Sequence, residues 1–366
     1  MTATVDLASG APVSGAARDG AAADAGGISP EGVTVEDAAS AAVSGAVSVP
    51  VAQVNPWRPS GPCSTDACVQ DAVAVAGSVR RVARLLAAVL VVLAGLPMSL
   101  VASRMSASRR AKIVGGWARL LLRALGIRIE ADLTALGTTT GVDPADAVTL
   151  ESLSDAALRS EPDAPPAPSR APASPGTGAL VVANHISWLD PLVLAATIPS
   201  RALAKREIAG WPIIRTLLAG SGALLIDRER LSQLPAAVRT IADALSAGDT
   251  VVAFPEGTTW CGRGMGRFRP AVFQAALDAN APVRPVMLRY REGKAETAST
   301  RACYVGDDSL VASALRVAAT RRLVVQVTLY APVRLMSPAP RPVARAVLAE
   351  IAEAQVRTGI ADGHPV

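Results

Sequence analysis

His185, one of only two histidines in the chain, directly follows the apolar run ALVVAN, and Asp190 comes soon after it, immediately before Pro191. An unperturbed imidazole titrates near neutrality, so it can accept the proton of a hydroxyl nucleophile. A carboxylate on its other ring nitrogen fixes the tautomer and stabilises the imidazolium as it forms. Asp190 has a second reading. In DPLVLAATI it is a good helix N-cap with proline at the first helical position. The two roles are compatible, since one carboxylate oxygen can cap while the other holds His185.

Two further segments end in groups suited to an anion. GALLIDRER carries Asp227 and Arg228, and VVAFPEGTTWCGRGMGRFRP carries Pro255, Glu256, Gly257 and Thr258, followed by Arg263, Arg267 and Arg269. A Gly-Thr turn presents backbone N–H groups and a hydroxyl, and guanidinium forks match phosphate oxygens. Each feature alone has a plainer reading. Arg228 can pair with Glu229 or Asp227 on the surface, the glycines of GRGMG can form a flexible loop, and Glu256 can be a solvated loop carboxylate.

Taken in order, NHISWLD, GALLIDR, FPEGTT and APVRPVML resemble the four successive motifs of the glycerolipid acyltransferase family, whose best-known members are the 1-acylglycerol-3-phosphate acyltransferases. The resemblance spans residues 180–290 and extends more loosely to AKREIAGWP and the hydrophobic helices before it. It implies that His185 is the general base and Asp190 its orienting carboxylate. Arg228, Glu256, Gly257 and Thr258 would hold the acceptor head group, while Pro285 and Val286 belong to a mainly structural fourth motif. The implied reaction moves a fatty acyl chain from acyl-CoA or acyl carrier protein to a lysophospholipid hydroxyl. The thioester is already activated, so the resemblance implies no metal and no bound cofactor. The chain departs from the family pattern at Thr259 and Ala271, where arginine and glycine are usual. Arg263, Arg267 or Arg269 could then take the phosphate contact, or the acceptor could be another lysolipid, as in the related acyltransferases that make ornithine lipids. A non-enzymatic lipid-binding protein on the same fold is the rival reading. A serine hydrolase is disfavoured, since no G-x-S-x-G elbow occurs and His364, the other histidine, stands near no candidate nucleophile.

These groups must be positioned by elements legible in the sequence. ALVVAN, ALLID, TVVAFP, VRPVML and LVVQVTLY read as buried strands, and LSQLPAAVRTIADALSAG and RPAVFQAALDAN as helices. Alternation of this kind predicts an α/β architecture, a largely parallel mixed sheet flanked by helices, with sites at the strand ends. We assign the catalytic domain to 178–336 and a C-terminal helix and tail to 337–366. Ala, Gly and Ser dominate 1–51, and prolines crowd 137–177; both tracts lack the bulky apolar residues of a core and are expected to be disordered. Residues 52–78 read as a linker.

Residues 79–130 read as membrane-anchoring helices. The stretch Leu85–Ala102 is uncharged and about 27 Å long as a helix, enough for a short span or, kinked at Gly95 and Pro97, a re-entrant anchor. Basic residues flank both ends, with a slight excess after it that favours a cytoplasmic catalytic domain. In the following helix Trp117, Leu120, Leu121 and Leu125 share a face, as an interfacial helix would require; an ordinary core helix is the plainer alternative. The formal charge of +5 suits an anionic partner, but aromatics make up only 3% of the chain, which argues against a base-stacking nucleic-acid groove. Membrane lipids and a lysophospholipid are the expected partners; the sequence specifies no oligomeric state. Cys63, Cys68, Cys261 and Cys303 are too sparse for a disulfide framework and lack zinc-finger spacing, so they read as reduced thiols, with a Cys63–Cys68 bridge as the alternative.

Overall fold

The structure is a computed structural model that describes residues 61–132, 178–206, 210–227, 231–335 and 340–361. Arg228, His364 and the tracts 1–51 and 137–177 lie outside the described residues.

In chain order the principal elements are α1 (Ser78–Ala102), α2 (Ala107–Ala124), β1 (Arg128–Asp132), β2 (Leu180–Ala183), α3 (Asp190–Thr197), β3 (Arg201–Lys205), α4 (Pro212–Ser221), β4 (Leu224–Ile226), α5 (Leu234–Ser246), β5 (Val251–Ala253), α6 (Phe273–Asp278), β6 (Val283–Glu292), α7 (Leu310–Ala319), β7 (Leu323–Leu329) and α8 (Arg341–Ala361). The strands form one sheet in the order β1-β7-β6-β2-β5-β3-β4. All neighbours are parallel except β6 and β7, which run antiparallel. The expected α/β sheet is therefore present, and all five strands read from the sequence are in it.

The sheet is covered on both faces, which explains the unbroken apolar character of its central strands. Successive side chains of β2 point to opposite faces. Val181 and Ala183 join a core made with α2, α3 and α7, whereas Leu180 and Val182 join one made with α5, α6 and α8. Because β2, β5, β3 and β4 are mutually parallel, their C-terminal ends share one rim. The loops bearing His185, Glu256 and Asp227 all leave from that rim.

Two elements differ from the sequence reading. Arg128–Asp132, grouped there with the anchoring helices, is an edge strand pairing with β7 in parallel register from Arg128↔Val324 to Asp132↔Thr328. Its alternating charges and mostly exposed side chains suit an edge, where charge discourages pairing with other chains. The second difference is α2. Leu121, Leu122 and Leu125 are buried in the core, Trp117 donates its indole N–H to the carbonyl of Val91 in α1 at 2.9 Å, and Leu120 faces outward. The shared face is thus committed to protein packing rather than to a membrane interface.

The outward apolar surface belongs to α1, which is long and apolar enough to cross a membrane and runs unbroken through Pro97. Its inner face is made of small residues, Ala88, Gly95, Ser99 and Ala102, all buried. Its outer face carries Val79, Val82, Leu86, Leu90 and Leu93, all substantially exposed. A Cβ added to Gly95 would lie 2.6 Å from the Trp117 indole nitrogen, and one on Gly220 of α4 would lie 2.1 Å from the Cβ of Ser99. The small face therefore lets α1 lie close along α2 and α4. Residues 61–76, within the segment read as a linker, are hydrogen-bonded to the domain: the N–H of Gln70 donates to Thr300 Oγ1, that of Val73 to Glu292 Oε2, and that of Ala76 to the carbonyl of Ala319.

Candidate active site

The strand β2 ends at Ala183, and the side chain of Asn184 then bridges to β6. It donates to the carbonyl of Leu288 at 2.9 Å and accepts from its N–H at 2.8 Å. This anchor sets the departure of the next loop, His185–Leu189, which closes on its own carboxylate. Asp190 Oδ2 accepts from the N–H of Ile186 at 2.6 Å and of Ser187 at 2.8 Å, and lies 2.9 Å from His185 Nδ1. Asp190 Oδ1 accepts from the Tyr290 hydroxyl at 2.7 Å.

The sequence reading of Asp190 as an N-cap is corrected by this geometry. Leu189 is the N-cap residue, Asp190 is the first residue of α3, and no side chain caps the helix. The carboxylate turns backwards, onto the amides of the loop that precedes it, so its helix-start sequence served the loop rather than the helix end. Its link to His185 is as expected.

Among the described residues the backbone N–H groups and the Tyr290 hydroxyl bonded to the Asp190 carboxylate are donors, so its oxygens act as acceptors and His185 Nδ1 carries the ring proton. Nε2 is then the free lone pair. Asp190 is fully buried, while the His185 side chain keeps 17% of its surface exposed, so only the imidazole of the pair is accessible. The ring is stacked on Phe254, with centroids 4.1 Å apart and planes inclined by 18°. Ring orientation is therefore fixed by stacking on one side and a hydrogen bond on the other.

The loop after β5 clamps the backbone of the same histidine. Glu256 Oε2 accepts the His185 N–H at 3.1 Å, and the Trp260 N–H donates to the His185 carbonyl at 2.7 Å. Glu256 Oε1 also accepts the Gly266 N–H at 3.2 Å. Gly257, at φ +76°, makes the turn after Phe254 in a conformation that favours glycine. Glu256 is nearly fully buried. Burial pushes its carboxyl up to about 9, against the pull of the His185 and Gly266 amides, and the neighbouring Asp190 charge adds to the rise. A solvated loop carboxylate is excluded; Glu256 ties the two loops together.

A cavity of about 650 Å³ lies beside this loop, between it and α8, lined in part by Glu256, Thr258, Arg267, Arg269, Glu353 and Arg357. Glu353 accepts the Phe268 N–H and pairs with Arg357, each at 2.7 Å. Arg267 and Arg269 thus come together with Glu256 and Thr258. Arg263 is exposed and is not among the cavity's lining residues. His185 does not line it either; Glu256 bridges the two, by its hydrogen bond to His185 and its place in the cavity wall. At the position where the family pattern has arginine, the Thr259 hydroxyl is bonded to the Tyr304 carbonyl. Pro285 and Val286 lie in β6 beside β2, in parallel register from Leu180↔Val283 to Ala183↔Val286.

Sequence reasoning missed Tyr290 and Phe254. Tyr290 sits within β6, and its hydroxyl, buried at 1% residue exposure, had to find a polar partner. A tyrosine on an inward strand position was the available signal. Phe254 opens the third motif, FPEGTT, but nothing in that motif signalled its stacking on the imidazole.

Residues 166–289 match the family model described as Acyltransferase. The chain is 40% identical over 113 residues to a 1-acyl-sn-glycerol-3-phosphate acyltransferase of Neisseria gonorrhoeae, covering 31% of this chain and 44% of that protein. It is 34% identical over 158 residues to a lyso-ornithine lipid O-acyltransferase of Pseudomonas aeruginosa, covering 42% of this chain and 58% of that protein. The chain thus spans about half the length of these curated relatives. Among solved structures it resembles the 1-acyl-sn-glycerophosphate acyltransferase PlsC of Thermotoga maritima, with a TM-score of 0.48 and 16% identity over 78% of this chain and 94% of that one. The segment that holds His185, Asp190 and Glu256 thus matches the Acyltransferase family model and is similar to 1-acylglycerol-3-phosphate and lyso-ornithine lipid acyltransferases.

Proposed function

We propose that the protein is a membrane-bound O-acyltransferase that moves a fatty acyl group from acyl-CoA or acyl carrier protein to the free hydroxyl of 1-acylglycerol-3-phosphate, forming phosphatidic acid. The observation that carries this reading is the His185–Asp190 pair, hydrogen-bonded at 2.9 Å with the imidazole accessible. The acceptor hydroxyl gives its proton to His185 Nε2 as its oxygen attacks the thioester carbonyl. The carbon–sulfur bond then breaks, and the proton passes to the departing thiolate. The products are an ester and a free thiol, and no metal or bound cofactor takes part. General-base assistance contributes about 10²–10⁴-fold in rate, about 3 to 5 kcal/mol of barrier.

Arg267 and Arg269, at the cavity beside Glu256, are the groups we assign to an anionic head group, with Thr258 as a hydroxyl partner. Arg228 shares that assignment on the strength of its motif. One observation favours a different acceptor, such as a lyso-ornithine lipid: the Thr259 hydroxyl is spent on the Tyr304 carbonyl at the position where an arginine would fit the family pattern. A panel of lysolipid acceptors with labelled acyl-CoA separates the two, since transfer to lysophosphatidate supports the first and transfer only to a zwitterionic lysolipid supports the second. His185→Ala should lower turnover by at least about 10²-fold. Full transfer by that variant, or thiol release that ignores the acceptor, would exclude the mechanism.

Membrane association rests on α1. Large apolar residues on its outer face and small ones inside invert the usual distribution of a helix on a water-soluble domain. Because its inner face lies along α2 and α4, we infer that α1 is seated lengthwise on the membrane with its outer face in the lipid. Trp211 and Ile213 of the adjoining segment, both exposed, would extend that surface. Arg104, Arg109, Arg110 and Lys112 after α1 favour the cytoplasmic leaflet.

A further inference from the structure

All four cysteines of the chain pack in or against one core, although they come from three segments far apart in sequence. The Sγ atoms of Cys63, Cys68 and Cys261 lie within 4.8 Å of one another. Cys303 is an electrostatic neighbour of both Cys261 and Cys68. All four are free. Cys63 precedes and Cys68 ends the helical turn Thr65–Cys68, whose start is capped by the Ser64 hydroxyl accepting the Ala67 N–H. Cys261 follows the third motif, and Cys303 precedes α7. Three separate chain segments therefore converge on one cluster of sulfur.

We propose that Cys63, Cys68 and Cys261, with Cys303 as the fourth ligand, form a structural site for a zinc-class divalent cation. Thiolates around zinc at about 2.3 Å lie about 3.8 Å apart, a contraction of an ångström or less from the separations among Cys63, Cys68 and Cys261. Thiolate donors select soft, borderline cations of this class. The backbone N–H of Cys261 faces the Cys63 sulfur, in a position to orient and stabilise a metal-bound thiolate. Cys261 and Cys303 are buried and Cys63 and Cys68 half-buried, so the coordination sphere is closed, as in structural rather than catalytic sites.

Binding a divalent ion to thiols displaces their protons, so affinity should rise with pH. A disulfide would use two sulfurs and leave the others unexplained. Sequence spacing concealed the site, because only Cys63 and Cys68 are near each other along the chain.

The site would pin the N-terminal segment to the loop that holds the catalytic histidine. Gly61 sits against that loop, since a Cβ there would be 3.6 Å from the Thr259 carbonyl and 3.8 Å from the Trp260 ring. Trp260, adjacent to Cys261, donates its N–H to the His185 carbonyl. Metal binding therefore steadies one wall of the candidate active site without touching substrate.

The test uses the full chain purified under reducing conditions. Plasma mass spectrometry should find about one zinc per chain. Exchange into cobalt(II) should give a thiolate-to-cobalt charge-transfer band and the visible envelope of a tetrahedral centre, a readout that needs no variant. Cys63→Ser, Cys68→Ser and Cys261→Ser should each weaken metal affinity by at least about tenfold against a chromophoric chelator. Cys303→Ser should lower the charge-transfer intensity by about a quarter, and an unchanged cobalt spectrum in that variant would remove Cys303 from the ligand set. Wild-type protein that takes up no zinc or cobalt while its thiols alkylate freely, or that yields a disulfide within the cluster after anaerobic purification, would overturn the proposal.

Discussion

Replacing Asp190 by asparagine isolates the charge of the carboxylate from its geometry. Oδ2 accepts two backbone N–H groups, of Ile186 and Ser187, besides lying 2.9 Å from His185 Nδ1. Those amides require an acceptor at that place, so the asparagine oxygen must occupy it and the amide nitrogen must face Tyr290. His185 then keeps its Nδ1 proton and its free Nε2; only the negative charge is lost. Two unit charges about 4 Å apart interact by about 4 kcal/mol at an effective dielectric of 20. With proton transfer partly complete in the transition state, about 2 to 4 kcal/mol of that is at stake. The expected fall in kcat for Asp190→Asn is therefore about 30- to 10³-fold, read as acceptor-dependent thiol release from acyl-CoA. Asp190→Ala should instead destabilise the protein, because it strands the Ile186, Ser187 and Tyr290 donors, each costing about 1–3 kcal/mol when buried. Activity of Asp190→Asn within threefold of wild type would mean the charge is not used. A loss well beyond 10⁴ at unchanged stability would mean that the amides do not hold the tautomer.

Tyr290→Phe removes the sole partner recorded for Asp190 Oδ1 among the described residues. It should cost about 1–3 kcal/mol in urea unfolding and less activity than Asp190→Asn, and the double variant should be less than additive; a cost under about 0.5 kcal/mol would contradict this. Glu256, raised to about 9 from an ordinary 4.5, binds a proton in the folded protein that the unfolded chain gives up. Its contribution is thus complete below about pH 4.5 and declines as pH rises towards 9. The thermal midpoint of Glu256→Gln should fall less across that window than that of wild type, and parallel curves would argue against the raised carboxyl. Gly220→Leu would drive a side chain into the Ser99 backbone, since even a Cβ lies 2.4 Å from Ser99 Cα. Its expected cost is about 1–3 kcal/mol, and an unchanged midpoint would mean that α1 is not docked on α4.

The strands that carry the site were legible because a strand buried on both faces must be apolar throughout, and LVVA and VVA have no other economical reading. The third-motif loop and the His185–Asp190 spacing were legible as chemistry for a related reason: few residue types can serve as base and orienting acid. The edge strand β1 was not, since RIEAD pairs on one side only and so carries a charge pattern that fits a helix end equally well. The direction of the Asp190 carboxylate was hidden too. Its helix-start context predicts a cap, and only the folded loop reveals that two earlier amides compete for the same oxygen.

By itself the sequence determined the sheet, the order of its motifs and the presence of a base with a carboxylate near it, because these follow from local periodicity and residue chemistry. The tertiary structure alone decided the rest. It brought the Tyr290 hydroxyl to Asp190, set Phe254 under the imidazole, turned the small face of α1 inward and gathered cysteines from three distant segments. Each of these is a contact between segments remote along the chain, and such contacts are fixed by how the layers pack, which no local pattern encodes.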